Sequence, residues 1–266
     1  MFPTAWYPLL PASMLAPNTT ERLTWLGTEH VVARDAHGGV TVRDPSGRSL
    51  HTTEVNDLIL AWAGPGEPFY AVDAVPELGR SDWTAVSWRK MRPFQTSIEN
   101  VMRDVVDNAH FGPVHKLLRA DTRAWREGAH LRTRSRGLIQ TDRFGGPRLH
   151  ANLLLEGRVH GPGLLTYQGL LTMGIQLPHV LLSAALPLDA DHVQMWLGVS
   201  VRRIPVPGLS RPLVGRFLDG LEEDYLADAE FWESPQGRMS PTPSDAGDAA
   251  LYAVFDEWFS AFQGER

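Results

Sequence analysis

The chain of 266 residues contains no cysteine. Disulfides, thiolate nucleophiles, cysteine-ligated zinc and ordinary iron–sulfur clusters are therefore excluded within it. Lysine is nearly absent: Lys90 and Lys116 stand against 23 arginines, a skew that reads as GC-rich coding bias and is silent on mechanism. The net charge is -6, and no basic run or arginine–aromatic stripe marks a phosphate-binding face, so nucleic acid is not an expected partner. No apolar run reaches the roughly 20 residues that a membrane-spanning helix needs. The opening MFPTAWYPLLPASML lacks the basic start and long apolar stretch of a secretion signal, so the expected location is the cytoplasm. Neither a glycine-rich phosphate loop nor a Gly-x-Ser-x-Gly elbow occurs, which argues against nucleotide chemistry and serine hydrolysis.

What is present is an ordinary globular composition, 43% hydrophobic, long enough for one large domain with or without a smaller appendage. RLTWLG, HVVARD and VTVRD read as short strands joined by polar links such as AHGG, and VNDLILAWAG as a further apolar strand. The Pro- and Gly-rich PGEPFYAVDAVPELGRSDW reads as an extended connector between this β unit, residues 1–64, and a main domain, residues 65–266. From Ile98 the apolar spacing turns helical, with Ser97 as N-cap and Gly112-Pro113 as the interruption. HLRTRSRGLIQTD, RLHANLLLEGRVH, LLTYQGLLTMGIQL, HVLLSAALPLD and HVQMWLGVSVRRI then read as strands of an antiparallel sheet. The last third is helical: Phe217, Leu221, Tyr225, Ala229 and Trp232 form one stripe, and Leu251, Phe255, Trp258 and Phe262 another. SPTPSDAG between them reads as a loop. The order is α+β.

One stretch carries chemistry: VVDNAHFGPVHK, residues 105–116. His110 and His115 are five apart across Gly112-Pro113, and that break allows His115 to turn back toward His110. Two neutral imidazoles and one carboxylate on one face of a metal leave the other face open for oxygen and substrate. Asp107, one turn before His110, is placed to hold that ring's other nitrogen. A third ligand must come from elsewhere, and Asp224 and Asp228 in EEDYLADAEFW are the candidates. Read alone, such a histidine pair is more often structural than metal-binding. His150, His160, His179 and His192 fall on expected strands, where a histidine is more often a surface or satisfied interior group. Tyr167, Gln168, Met173 and Met195 read as packing residues within reach of a substrate role, and Trp232 and Trp258 as core.

The same stretch resembles the iron-binding segment of the Rieske non-haem iron oxygenases, in their large catalytic subunit. Glu99-Asn100, Asp107, His110 and His115 fit that family's Glu-Asn, Asp-x-x-His-x-x-x-x-His, with extra residues around Met102-Arg103-Asp104. The likeness is to the 3-ketosteroid hydroxylase and cholesterol desaturase branch. VNDLILAWAGPGEPFYAVDAVPEL is similar to its interdomain linker, ADAEFWES to its Asp-x-x-x-Trp, and DAALYAVFDEWFSAF to its terminal helix. The resemblance implies a helix-grip (START-like) catalytic domain, with a curved antiparallel sheet and long helices, preceded by a truncated remnant of the Rieske domain. It implies Fe(II) or another divalent metal on His110, His115 and Asp228, and it selects Asp228 over Asp224. Asp107 matches the catalytic aspartate that bridges the two metal centres of the family. The cluster-bearing segment between VVARDAHGGVTVRDP and GRSLHTTEVNDLILAW is missing, so no [2Fe-2S] cluster is expected.

An apolar small molecule of steroid or polyketide-like size is the implied substrate, and a homo-oligomer such as a trimer the implied assembly. With the cluster's electron route gone, the expected reaction is redox-neutral cyclisation, isomerisation or rearrangement in secondary metabolism. The alternatives are an Fe(II) oxygenase or oxidase fed by substrate-derived or external electrons, and a non-catalytic partner of an intact oxygenase.

Overall fold

The computed structural model describes residues 2–140, 149–206, 208–234 and 246–263. Three antiparallel sheets carry the fold. In the amino-terminal part, β1 (Ala5–Pro11), β6 (Leu58–Ala63) and β5 (Thr52–Val55) form one, in the order β1-β6-β5; β2 (Thr19–Trp25), β3 (Thr28–Arg34) and β4 (Val40–Arg43) form the second. The third has seven strands: β7 (Ser87–Lys90), β13 (Val193–Val201), β12 (Ile175–Pro187), β11 (Leu164–Met173), β10 (His150–Val159), β9 (His130–Gln140) and β8 (Leu118–Glu127), in that spatial order. From β8 to β13 it is a meander, each strand pairing with the next in sequence.

VNDLILAWAG holds one strand, β6, as expected, preceded by a turn at Asn56-Asp57 that joins it to β5; both turn residues are left-handed at φ 57° and 58°, which is what a two-residue hairpin turn requires. One stretch read as a single strand is a hairpin. LLTYQGLLTMGIQL turns at Gly174, φ 70°, where a side chain would be strained. The edge strands β1, β7 and β8 were not read from the sequence. β1 is buried along its whole length and most of β8 is exposed, so neither alternates, and β7 is only four residues long.

The helices are α1 (Ile98–Arg103), the single turn α2 (Asn108–Phe111), α3 (Ser210–Trp232) and α4 (Ala246–Ser260). The Ser97 side chain caps α1 by accepting from Asn100 N at 3.2 Å, as its position implied. The helix expected to continue from α1 is broken earlier than Gly112-Pro113. A 3-10 turn at Asp104–Val106 tightens the chain, and Asp107 leaves the helical region at φ -80°, ψ 85° before α2 begins. Both long helices lay their apolar stripes inward. Val214, Phe217 and Leu218 of α3 pack on Ile139, Leu171, Val199 and Val201 of the large sheet. Phe255, Trp258, Phe259 and Phe262 join the main core, with Tyr7, Trp25, Phe94 and Trp232. The amino-terminal strands thus share a core with the carboxy-terminal helix. The expected SPTPSDAG loop lies mostly outside the described residues; its last two, Ala246 and Gly247, open α4. Among the described residues, no helix is long and apolar enough to cross a membrane.

Candidate metal centre

Between α3 and the large sheet lies an apolar cavity of about 160 Å³. That is some tenfold the room one water needs and close to the roughly 150 Å³ that takes a benzene ring. One end carries the histidines. The Gly112-Pro113 turn doubles the chain back: Val114 N donates to His110 O at 2.9 Å and Leu117 N to Phe111 O at 3.0 Å. Lys116, left-handed at φ 56°, completes the reversal into β8. As a result Nε2 of His110 and Nε2 of His115 are 2.9 Å apart. Asp228, three helical turns beyond Phe217 on α3, puts Oδ1 3.2 Å from the His115 Nε2 and 3.8 Å from the His110 Nε2.

These three atoms make a compact triangle of the size a small cation takes. Ligands at right angles and roughly 2.1 Å from a common centre are roughly 3 Å apart. Two imidazole nitrogens and one carboxylate oxygen are also the donor set of non-haem Fe(II) sites with open positions. The residues fit the metal implied for them.

Each imidazole is held from behind. Asp107, 9% exposed, has Oδ2 3.5 Å from Nδ1 of His110, and Asp224 has Oδ1 3.0 Å from Nδ1 of His115. Asp224, weighed as a ligand, thus stands in the supporting role, one helical turn from Asp228. Burial disfavours charge on both rings, but the facing carboxylates outweigh it: Asp107 foremost at His110, and Asp224 with Asp228 at His115, whose pKa is pushed up to about 10. Burial likewise works against charge on Asp107, yet His110 and the Tyr252 hydroxyl hold its carboxyl below the usual range.

Four further polar side chains of the cavity were not singled out. Asp104, from the extra residues that interrupt the motif, is half-buried; desolvation and then the charge of Asp228 push its pKa up to about 8. Trp232 Nε1 donates to its Oδ2 at 2.6 Å, so this core tryptophan also serves the site. Tyr225 donates to Ser183 at 2.5 Å, and Ser135 lies 3.0 Å from Thr122. No sequence signal marks Asp104 and Tyr225, because their partners Trp232 and Ser183 lie more than 40 residues away in the chain. Of the residues given a conditional role, Tyr167 and His179 line the cavity. Met195 is core, Met173 is surface-exposed, and Gln168 faces outward to Glu77. His160 and His192 sit at strand ends rather than within strands.

The model of the 3-Ketosteroid 9alpha-hydroxylase C-terminal domain matches residues 63–262. The oxygenase component of 3-ketosteroid-9-alpha-monooxygenase from Rhodococcus rhodochrous is 23% identical over 231 residues, 81% of this chain and 58% of that protein. The Mycolicibacterium smegmatis component is 24% identical over 227 residues, with the same shares. The chain thus spans 58% of the length of these relatives. Among solved structures, dicamba monooxygenase bound to 3,6-dichlorosalicylic acid superimposes with a TM-score of 0.67 at 12% identity, covering 98% of each chain. The terminal oxygenase of carbazole 1,9a-dioxygenase from Novosphingobium sp. KA1 gives 0.63 at 15% identity, over 99% of this chain and 95% of that one. The likeness to these two is one of fold. With a family model matched over three quarters of its length, the chain belongs to the catalytic-subunit family of the Rieske non-haem iron oxygenases, in the 3-ketosteroid 9α-hydroxylase branch.

Proposed function

We propose that this chain is a metal-dependent enzyme that oxidises an apolar, steroid- or polyketide-sized molecule at a mononuclear Fe(II) site. The observation that carries this is the convergence of His110, His115 and Asp228 on one end of an apolar cavity. Bound Fe(II) in such a set supplies oxygen activation. The protein's own residues do the rest. Asp107 and Asp224 orient the two imidazoles. Trp232 fixes the Asp104 carboxyl beside the site, where desolvation and the charge of Asp228 favour its protonated form while no cation is bound. Leu153, Leu155, Leu165, Leu181 and Phe217 exclude water and position the substrate by shape.

The branch's relatives are oxygenase components, and this favours oxidation over the redox-neutral chemistry expected from the sequence, which no relative supports. Insertion of one oxygen atom takes two electrons from the substrate and two from elsewhere. These 266 residues offer no thiolate for a [2Fe-2S] cluster, so the second pair comes from the substrate or from a separate reductant. A redox-neutral rearrangement is the second reading. It is favoured by one observation, the Asp104 carboxyl on the cavity lining, whose raised pKa suits it to act as an acid. We further infer a helix-grip catalytic region from residue 65 onward, a cluster-free β unit over 1–64, and a homo-oligomer that light scattering at micromolar concentration would detect.

The test uses anaerobically purified chain loaded with Fe(II). One metal ion per chain is expected, lost in the His110→Ala, His115→Ala double variant. Unchanged metal content in that variant overturns the site. Substrate turnover is then compared with and without oxygen: loss without oxygen supports oxidation, and turnover that persists selects the redox-neutral reading.

A further inference from the structure

Deep in the same cavity, away from the histidine pair, lies a group that the iron site does not use. His179 on β12 is 2% exposed and lines the cavity. Its ring centroid is 4.7 Å from that of Phe217, on which it leans at 39°. Phe217 precedes Asp228 by eleven residues on α3, an axial rise of about 16 Å. The ring occupies a built niche: a Cβ on Gly169, its cross-strand partner, would fall 2.0 Å from the His179 Nε2. Only glycine there leaves room for the imidazole.

The tautomer is decided locally. Nδ1 of His179 lies 3.0 Å from the Leu177 carbonyl oxygen, which can only accept, so Nδ1 carries the hydrogen. A neutral imidazole has one N–H, and Nε2 is then a bare lone pair. Burial keeps the ring neutral by pushing its pKa down to about 4. Among the described residues Nε2 has no hydrogen-bond partner. Nε2 is not among the fully buried unpartnered atoms of the described residues, so its lone pair is reachable from the cavity it lines, where a ligand donor can meet it.

We propose that His179 Nε2 is the recognition point for a hydrogen-bond donor, most simply a hydroxyl, at the far end of an elongated apolar ligand whose other end reaches the metal centre. A ketone in the same position would set lone pair against lone pair. The inference rests on the cavity being the substrate site, and it adds the polarity of the ligand's distal end.

The probes are two steroids that differ only in a 3β-hydroxyl against a 3-ketone. Their binding to the metal-loaded full chain is measured by titration calorimetry. The hydroxyl form is expected to bind roughly tenfold more tightly. His179→Phe is expected to remove that advantage while leaving ketone binding within about twofold. Equal binding, a preference for the ketone, or a preference that survives in His179→Phe overturns the proposal alone. Binding of neither steroid to the native chain overturns the cavity reading and this proposal with it. Should His179→Phe fail to fold, a two-bond proton–nitrogen spectrum of the native chain decides. An unprotonated Nε2 whose signal moves on adding the hydroxysteroid is expected, and a protonated Nε2 sinks the idea.

Discussion

Asp224 holds His115 from behind: its Oδ1 is 3.0 Å from Nδ1, leaving Nε2 to face Asp228 and His110. Asp224 and Asp228 are one turn apart on α3, so a single helix presents both the ligand carboxylate and the carboxylate that aims a ligand imidazole. A helix 23 residues long and packed on the sheet fixes that spacing more rigidly than a loop would.

Asp224→Ala should therefore weaken metal binding by about 10- to 100-fold while the chain stays folded. Chelator competition with Fe(II) or Co(II) measures this, alongside circular dichroism. Native-like affinity in the variant would mean that Asp224 merely solvates the helix.

The pH dependence has a defined sign. The raised pKa of His115, about 10 in the metal-free fold against an ordinary 6.5, means its charged form contributes stability in full below pH 6.5. That contribution is lost as pH rises through about 10. The same proton must leave before Nε2 can bind a cation, so metal affinity should climb up to tenfold per pH unit between about 6.5 and 8.5. A flat profile, corrected for the chelator's own titration, would contradict this.

Asp104 supplies a second pH effect. Its carboxyl is ordinary at 3.8 when unfolded and about 8 when folded, so the protonated form stabilises the fold. That contribution is complete below pH 3.8 and disappears as pH rises through about 8. Asp104→Asn keeps an acceptor for Trp232 and removes the titration. Melting temperatures of metal-free protein should fall more steeply from pH 6 to 9 in the native chain than in Asp104→Asn. Parallel curves would place the proton elsewhere.

The cavity wall has no slack at Gly157. A Cβ there would meet Oγ1 of Thr133 at 2.2 Å and the Tyr167 ring at 2.6 Å; Thr133 is buried and Tyr167 half-buried. Gly157→Ala should cost about 1–3 kcal/mol of stability through forced repacking. Denaturant unfolding checks it; a change within about 0.5 kcal/mol would show that the Tyr167 ring can swing aside.

Much of this was legible one residue at a time. Zero cysteine, the Ser97 cap, the apolar stripes of α3 and α4, and the Asp107–His110–His115 spacing are local facts, and local physics reads them. The Gly174 hairpin was missed because apolar residues flank its single glycine on both sides, and the sign of φ there is not an apolar signal. At Asn56-Asp57 the polar pair itself marks the turn. The early break at Asp107 was missed because a 3-10 turn keeps nearly the same spacing as a helix.

The sequence by itself determined which ligand types were available and that His110 and His115 could converge, because Gly112-Pro113 cannot continue a helix. It also determined, through the absence of thiolates, that these residues hold no cysteine-ligated cluster. Tertiary structure alone decided that Asp224 faces Nδ1 while Asp228 faces Nε2, that Asp104 sits beside Asp228 with its pKa raised, and that His179 offers a bare acceptor over Gly169. Each of these depends on how α3 lies across strands far away in sequence. Burial and electrostatic field are properties of that packing, and no local pattern encodes them.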